Sequence, residues 1–147
     1  YKDNSFYFTL ESIGVYTNSE IFRLACDILI EKLNTIKSET EIENKSYEII
    51  DFPIAMKNSF DIKLFNEDYT VGKILEYILH YEYYRQQSIL TYVGFIKKHP
   101  HDNHSFIRIA FNDNYSEALA NRVKIMELLS SVCQIGIGIF NKLRIEF

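Results

Sequence analysis

An unbroken succession of a helix pattern, a strand, a turn and a second strand, running from Glu67 to Phe111, constrains this 147-residue chain more than any other stretch. The helix is predicted because its apolar residues fall at the i, i+3, i+4, i+7 and i+8 spacing of one buried face. Asp68 or Thr70 can cap its start. The apolar positions are Val71, Ile74, Leu75, Ile78 and Leu79.

The residues after this helix predict a β-hairpin. Ile89–Ile96 is typical of a strand, and Gly94 within it indicates a bulge or a close backbone approach. His99-Pro100-His101 predicts the turn, and Phe106–Phe111 predicts the returning strand. Upstream, Ser59–Phe65 alternates apolar and polar residues, which predicts a half-buried antiparallel strand.

This helix and hairpin carry a resemblance to a known family. An acidic-Asp-aromatic-Thr-Val-Gly start, an aromatic-x-Gly strand, a His-Pro turn and an Arg-Ile strand resemble the small assembly subunit of multisubunit RNA polymerases. That subunit is L in archaea and the eleventh subunit of RNA polymerase II, and it is related to the dimerisation region of the bacterial alpha subunit. The matching residues are Thr70, Gly72, Ile74, Leu75, Tyr92, Gly94, Pro100 and Arg108.

The resemblance runs from about Phe52 to the C-terminus and implies an α+β fold in which an antiparallel sheet carries two helices on one face. It also implies that the matching residues act as fold and platform determinants. Tyr69 departs from the family pattern, which commonly has His there. The run Tyr47–Ile54 contains the apolar residues Tyr47, Ile49, Ile50, Phe52 and Ile54 and is broken by Pro53.

The N-terminal part predicts a strand at Phe6–Glu11 that ends at Gly14, and then a helix. Thr17 and Glu20 have the spacing of a capping box at the helix start. The helix pattern comprises Ile21, Leu24, Ala25, Ile28, Leu29, Leu33 and Ile36. Ser5–Ile36 is similar to the C-terminal strand and helix of the larger assembly subunit, archaeal D or the third subunit of RNA polymerase II.

A polar, charge-rich run at Lys37–Ser46 separates the two pieces and reads as a linker or a frayed helix end. We therefore divide the chain into a D-like segment at 1–37, a linker at 38–46 and an L-like domain at 47–147. Because the two resembled subunits are separate chains in cells, their tandem order suggests a fusion, engineered or natural. A natural one is expected in large cytoplasmic DNA viruses of the African swine fever type.

The last predicted element is a long helix from Ser116 to about Leu143, with two neighbouring apolar rows. The first row is Leu119, Val123, Met126, Leu129, Cys133, Ile137 and Phe140, and the second is Ile125, Leu128, Val132, Ile135 and Ile139. We expect Leu24 and Ile28 of the first helix to pack on the first of these rows, as the paired helices of the family do. Gly136 and Gly138 predict a kink or an early end.

Composition and motifs exclude several functions. Sixteen basic against twenty acidic side chains, with no basic stripe, argue against strong direct nucleic-acid binding. We expect no membrane partner, because no uninterrupted apolar run reaches about 18 residues, and no leader is seen. Cys26 and Cys133 are interpreted as reduced core thiols of an intracellular protein, which for a viral protein means the host cytoplasm and the virion.

The hairpin turn offers a candidate metal site, because His99, His101, Asp102 and His104 cluster in sequence there. Zinc ligands usually form more widely separated pairs and often include Cys, so the cluster is interpreted as a solvated loop. No phosphate loop, nucleophile elbow or magnesium signature is present in the sequence. We therefore expect no cofactor, no metal and no catalytic residue.

The resemblance implies a non-catalytic assembly platform that recruits the two largest polymerase subunits for transcription. The sequence leaves a second hypothesis open, a stand-alone dimeric interaction module whose long helix forms a homodimer seam and whose aromatic helix end, Tyr81–Tyr84, binds a partner. A third hypothesis is a metal-dependent enzyme at His99–His104. Whether the first helix packs on its own chain or on a second copy also stays open.

Overall fold

The computed structural model describes residues 5–38, 46–51, 57–113 and 122–147, and these form an α+β fold. Four strands make one antiparallel sheet in the order β1-β2-β4-β3, and two long helices pack together beside a shorter third. The elements are α1 Asn18–Ser38, β1 Tyr47–Asp51, β2 Ser59–Phe65, α2 Tyr69–Leu79 with a π-helix at His80–Gln86, β3 Leu90–Ile96, β4 His104–Phe111 and α3 Arg122–Glu146.

The centre of the sheet is the antiparallel pair of β2 and β4, in which Ile62 lies opposite Ile107. Both side chains are fully buried beneath the helices. The predicted alternation in β2 is confirmed for its apolar face. Its polar face is more buried than we expected from a half-buried strand, because Asp61 is only 5% exposed and faces Arg108 on β4.

Helix α2 begins as its sequence predicts. The carboxylate of Asp68 accepts a hydrogen bond from the backbone N–H of Thr70 at 3.1 Å, which satisfies one of the free donors at the helix start. Beyond Leu79 the chain does not leave the helix, but widens into seven residues of π-helix. The Gln87 N–H then donates to the Glu82 carbonyl, five residues back, and ends the element.

The hairpin of β3 and β4 is confirmed, and the Asp102 N–H donates to the His99 carbonyl at 3.1 Å across its turn. The bulge predicted at Gly94 is wrong, because the register irregularity lies between Leu90 and Tyr92. What approaches Gly94 closely is a side chain, since an added Cβ would lie 2.5 Å from the Tyr92 hydroxyl. Gly94 therefore leaves room for the ring of Tyr92, which lies along the same strand.

The strand predicted at Phe6–Glu11 is wrong, because no strand forms in residues 5–13 of the described chain. The side chains there are extended into solvent, and Tyr7 is 102% exposed. A strand needs a neighbour that accepts its backbone hydrogen bonds, and none of the four described strands lies beside this segment. Asn18 at the start of α1 holds the segment by donating to the Leu10 carbonyl at 2.8 Å.

The capping box at the start of α1 is confirmed. The Thr17 N–H donates to the Glu20 carboxylate at 2.7 Å, and the Glu20 N–H donates to the Thr17 hydroxyl at 3.3 Å. The backbone hydrogen bond from Thr17 lowers the pKa of Glu20. At its other end α1 includes Lys37 and Ser38, so the run expected to be a linker starts as helix, and 39–45 lie outside the described residues.

Helix α3 contradicts the kink or early end expected at its glycines, because it continues through Gly136 and Gly138 to Glu146. The predicted first residues of this helix lie outside the described chain, since 114–121 are not covered. Among the described helices, α3 is long and apolar enough to cross a membrane by length and composition. It nevertheless packs along α1 and α2, as the core helix of a folded domain does.

Candidate functional site

The candidate site is the seam between α1 and α3, which the structure forms within one chain. Phe22 on α1 contacts Phe147 with ring centroids 4.3 Å apart, and Asp27 binds Arg144 at 2.8 Å. Near the other end of the seam Lys37 donates to the side chain of Gln134. The start of α1 therefore lies against the end of α3, and the two helices are antiparallel.

The residues expected to form this seam are only partly the right ones. Leu24 and Ile28 are 45% and 55% exposed, and Val123 is 64% exposed, so their assignment to the seam is wrong. Leu129 and Cys133 are buried as expected, and Met126 packs partly buried against the core. Leu119 lies outside the described residues.

The buried face of α1 is a different row, formed by Cys26, Leu29, Leu33 and Ile36. Its spacing of three, four and three residues is the seam pattern of paired helices. The sequence pattern already included Leu29, Leu33 and Ile36 and interpreted Cys26 as a core thiol, which its burial confirms, but it assigned Leu24 and Ile28 to the seam because α1 carries two apolar rows. The buried residues of α3 are Gly136 and members of both predicted rows: Ile125, Leu128, Leu129, Val132, Cys133 and Ile137.

Gly136 is a functional residue of the seam that the sequence reasoning took for a helix breaker. A Cβ added there would lie 2.9 Å from Leu33 Cδ1 on α1 and 3.4 Å from Ile78 Cδ1 on α2. The missing side chain thus lets three helices approach at one point. Gly138 has nothing within 4 Å of an added Cβ and plays no such part.

The family-matching residues on α2 serve its contact with β3. An added Cβ at Gly72 would lie 2.7 Å from Phe95 Cζ and closer still to two other ring atoms, so the Phe95 ring lies directly on the helix backbone. The carboxylate of Glu76 accepts a hydrogen bond from the Phe95 N–H at 3.0 Å. Leu75 is fully buried in the core, and Ile74 packs partly buried against it. The Thr70 backbone N–H donates to the capping carboxylate of Asp68.

The remaining matching residues lie mostly on the opposite face of the sheet. Arg108 makes a two-pronged ion pair with Asp61, at 2.6 and 2.8 Å, and sits in register with Gly94 on β3. The hydrogen bond to Asp61 raises the pKa of the Arg108 guanidinium. Tyr92 is 41% exposed beside them, and Pro100 is exposed in the turn. The motif residues therefore do not converge on one site.

The histidines of the hairpin turn do not form a metal site in the described structure. His99 and His101 have ring centroids 5.3 Å apart, and His104 packs edge-on against Phe106 at 5.2 Å. No group of three possible ligands converges anywhere in residues 5–38, 46–51, 57–113 and 122–147. Burial raises the pKa of Cys133 to about 12 and also raises that of Cys26, so neither thiol is an activated nucleophile.

The aromatic helix end forms two stacked pairs. The rings of Tyr77 and Tyr81 are 6.3 Å apart and nearly parallel, and those of His80 and Tyr84 are 4.7 Å apart. Tyr83 points the other way and is only 7% exposed. A cavity of about 330 Å³ opens beside the first pair, lined by Lys73, Glu76, Tyr77, His80 and Val93.

Comparison with known proteins adds no relative to this description. No protein-family model matches the chain, and no curated protein is significantly similar to it.

Proposed function

We propose that this chain belongs to the non-catalytic assembly platform of a multisubunit DNA-directed RNA polymerase, in which a D-like helix and an L-like domain pair to recruit the two largest subunits. The observation that carries the proposal is the packing of α1 on α3 within one chain. It is the pairing that the resemblance implies for the helices of two separate subunits. The helix, hairpin and long helix that follow α1 occur in the order of the L-like pattern.

The proposed mechanism is scaffolding, and the burial of apolar side chains between α1 and α3 supplies stability for it. Each fully buried Leu or Ile contributes about 1.5–3 kcal/mol, so Leu33, Ile36 and their partners on α3 stabilise the seam before its polar contacts are counted. An ion pair between Lys32 and Glu67, at 2.7 Å, also ties α1 to the residues that precede α2. The two pieces thereby pack into one unit, whose surfaces are available to other subunits.

The tandem order supports a natural or engineered fusion of the two assembly subunits. We place a natural fusion in a large cytoplasmic DNA virus of the African swine fever type, and the protein in the host cytoplasm and the virion. Nucleotidyl transfer in such a polymerase belongs to the largest subunit. The proposal therefore assigns no catalytic group to this chain.

The test is a tagged pull-down from cells that make the protein, with partners identified by mass spectrometry. We expect the two largest polymerase subunits to be recovered. Gly136→Leu, which forces a side chain between α1, α2 and α3, should reduce their recovery, whereas the control Gly138→Ala should not. Absence of both large subunits from the unmodified protein would overturn the proposal.

The same pull-down separates the platform from the stand-alone dimeric module. That hypothesis places a homodimer seam on the long helix, but the buried row of α3 is occupied by α1 of the same chain. Recovery of the chain with no partner but itself would favour the module, which would then need a different surface.

A further inference from the structure

A cluster of cations and aromatic rings lies on the sheet face opposite the described helices. Ile62 on β2 and Ile107 on β4 belong to the core that the helices cover. Successive side chains of a strand point to opposite faces, so Lys63 and Phe106, next to these two in sequence, point away from the helices. We call the cluster the sheet patch, and its members are Lys63, Phe65, Lys98, His104 and Phe106.

The members of the sheet patch are contiguous. Lys63 lies opposite Phe106 in the register of β2 and β4, and Phe65 lies opposite His104. The His104 ring packs edge-on against Phe106, with ring centroids 5.2 Å apart. Lys98 follows the end of β3, and its ammonium lies 4.6 Å from the centroid of the Phe106 ring. The patch therefore spans the two central strands and the start of the hairpin turn.

The two lysines of the sheet patch lie on aromatic rings and not on carboxylates. Lys63 Nζ is 4.8 Å from the centroid of Phe65, as Lys98 Nζ is close to Phe106. Within the part of the chain that the structure describes, neither ammonium forms an ion pair. Glu48 on β1 lies opposite Lys63 in register and is exposed. A cation–π contact at a solvent-accessible site is weak, so both ammonium groups are available to an anionic ligand.

Phosphate groups that alternate with planar bases are the ligand chemistry that this patch suits. A lysine ammonium binds phosphate as a point charge, and aromatic side chains stack on bases of any sequence. Other four-stranded sheets bind single-stranded RNA by stacking bases on aromatic side chains of the sheet. Here Phe65 and Phe106 lie on the two strands at the centre of the sheet.

We propose that the sheet patch binds single-stranded nucleic acid, with Lys63 and Lys98 on the phosphates and bases stacked on Phe65 and Phe106. Phe65 is partly exposed already. Phe106 is only 8% exposed, and the exposed Lys98 lies over its ring. The flexible stem of Lys98 lets its ammonium move from the ring to a phosphate, and the ring then faces a base.

The binding should be weak, because the chain has a net charge of −4 and the patch offers only two ammonium groups. This agrees with the expectation from composition that the chain does not bind nucleic acid strongly. Each phosphate that a single strand has neutralised contributes about −0.7 to the slope of log affinity against log salt, so two lysines predict a slope of about −1.4. The inference does not depend on the polymerase role, because the purified chain is tested without other subunits.

The test is fluorescence anisotropy of a short labelled oligouridylate, titrated with the purified chain at several salt concentrations. Lys63→Gln and Lys98→Gln should each weaken binding and make the slope shallower by about 0.7. Phe65→Leu should weaken binding by about fivefold or more and leave the slope unchanged, because it removes a stacking ring and no charge. Glu48→Gln should strengthen binding, since it removes the carboxylate opposite Lys63.

Lys142→Gln is the matched control, because it removes the same charge from an exposed position of α3, on the other side of the sheet, and should leave the affinity unchanged. Circular dichroism of every variant checks that the fold persists. Absence of binding by the unmodified chain at low salt would overturn the proposal. So would patch variants that bind like the control, or equally tight binding of a duplex, whose bases are already stacked on each other.

Discussion

Replacing Gly72 by Ala tests how closely α2 packs on the sheet. The added methyl group would meet the ring of Phe95, with Cζ at 2.7 Å and two further ring atoms closer. The ring cannot withdraw freely, because its own backbone N–H is held by Glu76 and its other side contacts Tyr69 at a centroid distance of 5.4 Å. Forcing extra volume into such a contact costs about 1–3 kcal/mol.

Alanine also improves helix formation, so the clash must be separated from this gain. Gly138→Ala is the control, because it lies within α3 and has nothing within 4 Å of the new Cβ. It should stabilise the protein by about 1 kcal/mol through helix propensity alone. Gly72→Ala gains a similar amount from helix propensity but loses about 1–3 kcal/mol to the clash. We therefore expect the Gly72→Ala variant to be about 1–3 kcal/mol less stable than the Gly138→Ala variant.

The assay is urea unfolding followed by circular dichroism, supported by thermal melts. A difference of 1 kcal/mol corresponds to about 2–4 °C in Tm for a chain of this size. In a Phe95→Ala background the clash is absent, and Gly72→Ala should become stabilising like the control. If Gly72→Ala is as stable as Gly138→Ala, or if its penalty survives the loss of the Phe95 ring, the packing argument is refuted.

Four further predictions follow from buried or capping groups. Asp61→Ala should destabilise the protein by about 3–5 kcal/mol, because it leaves the Arg108 guanidinium partly buried without its ion pair, whereas replacing both residues by apolar ones should cost less in urea unfolding. Asp68→Ala should cost about 1 kcal/mol by removing the α2 cap, and an unchanged unfolding midpoint would contradict this. Because burial raises the pKa of Cys133 to about 12, the unfolded chain ionises first above the ordinary value of 9.0, so stability should fall as pH rises from 9.0 towards 12. Native Cys133 should also resist thiol labelling followed by mass spectrometry, and rapid labelling without unfolding would refute its burial.

Elements that depend on local pattern could be predicted from the sequence. The α2 face, the alternation of β2, the turn at Pro100 and the capping box at Thr17 each involve residues close in sequence, so their spacing indicates their structure. The faces that become buried could not be read so directly. Helix α1 has two apolar rows, and only contact with α3 decided that Leu33 and Ile36 would be buried and that Leu24 and Ile28 would stay exposed.

The sequence by itself determined where α1 and α2 begin and how they are capped, because capping and apolar periodicity act over a few residues. Tertiary structure decided the rest. It left Phe6–Glu11 without a strand partner, turned the end of α2 into a π-helix, and gave Gly72 and Gly136 their roles as points of close approach. Burial depends on contact between segments that are distant in sequence. A sequence pattern can therefore indicate an apolar row, but only that contact decides which row is removed from water.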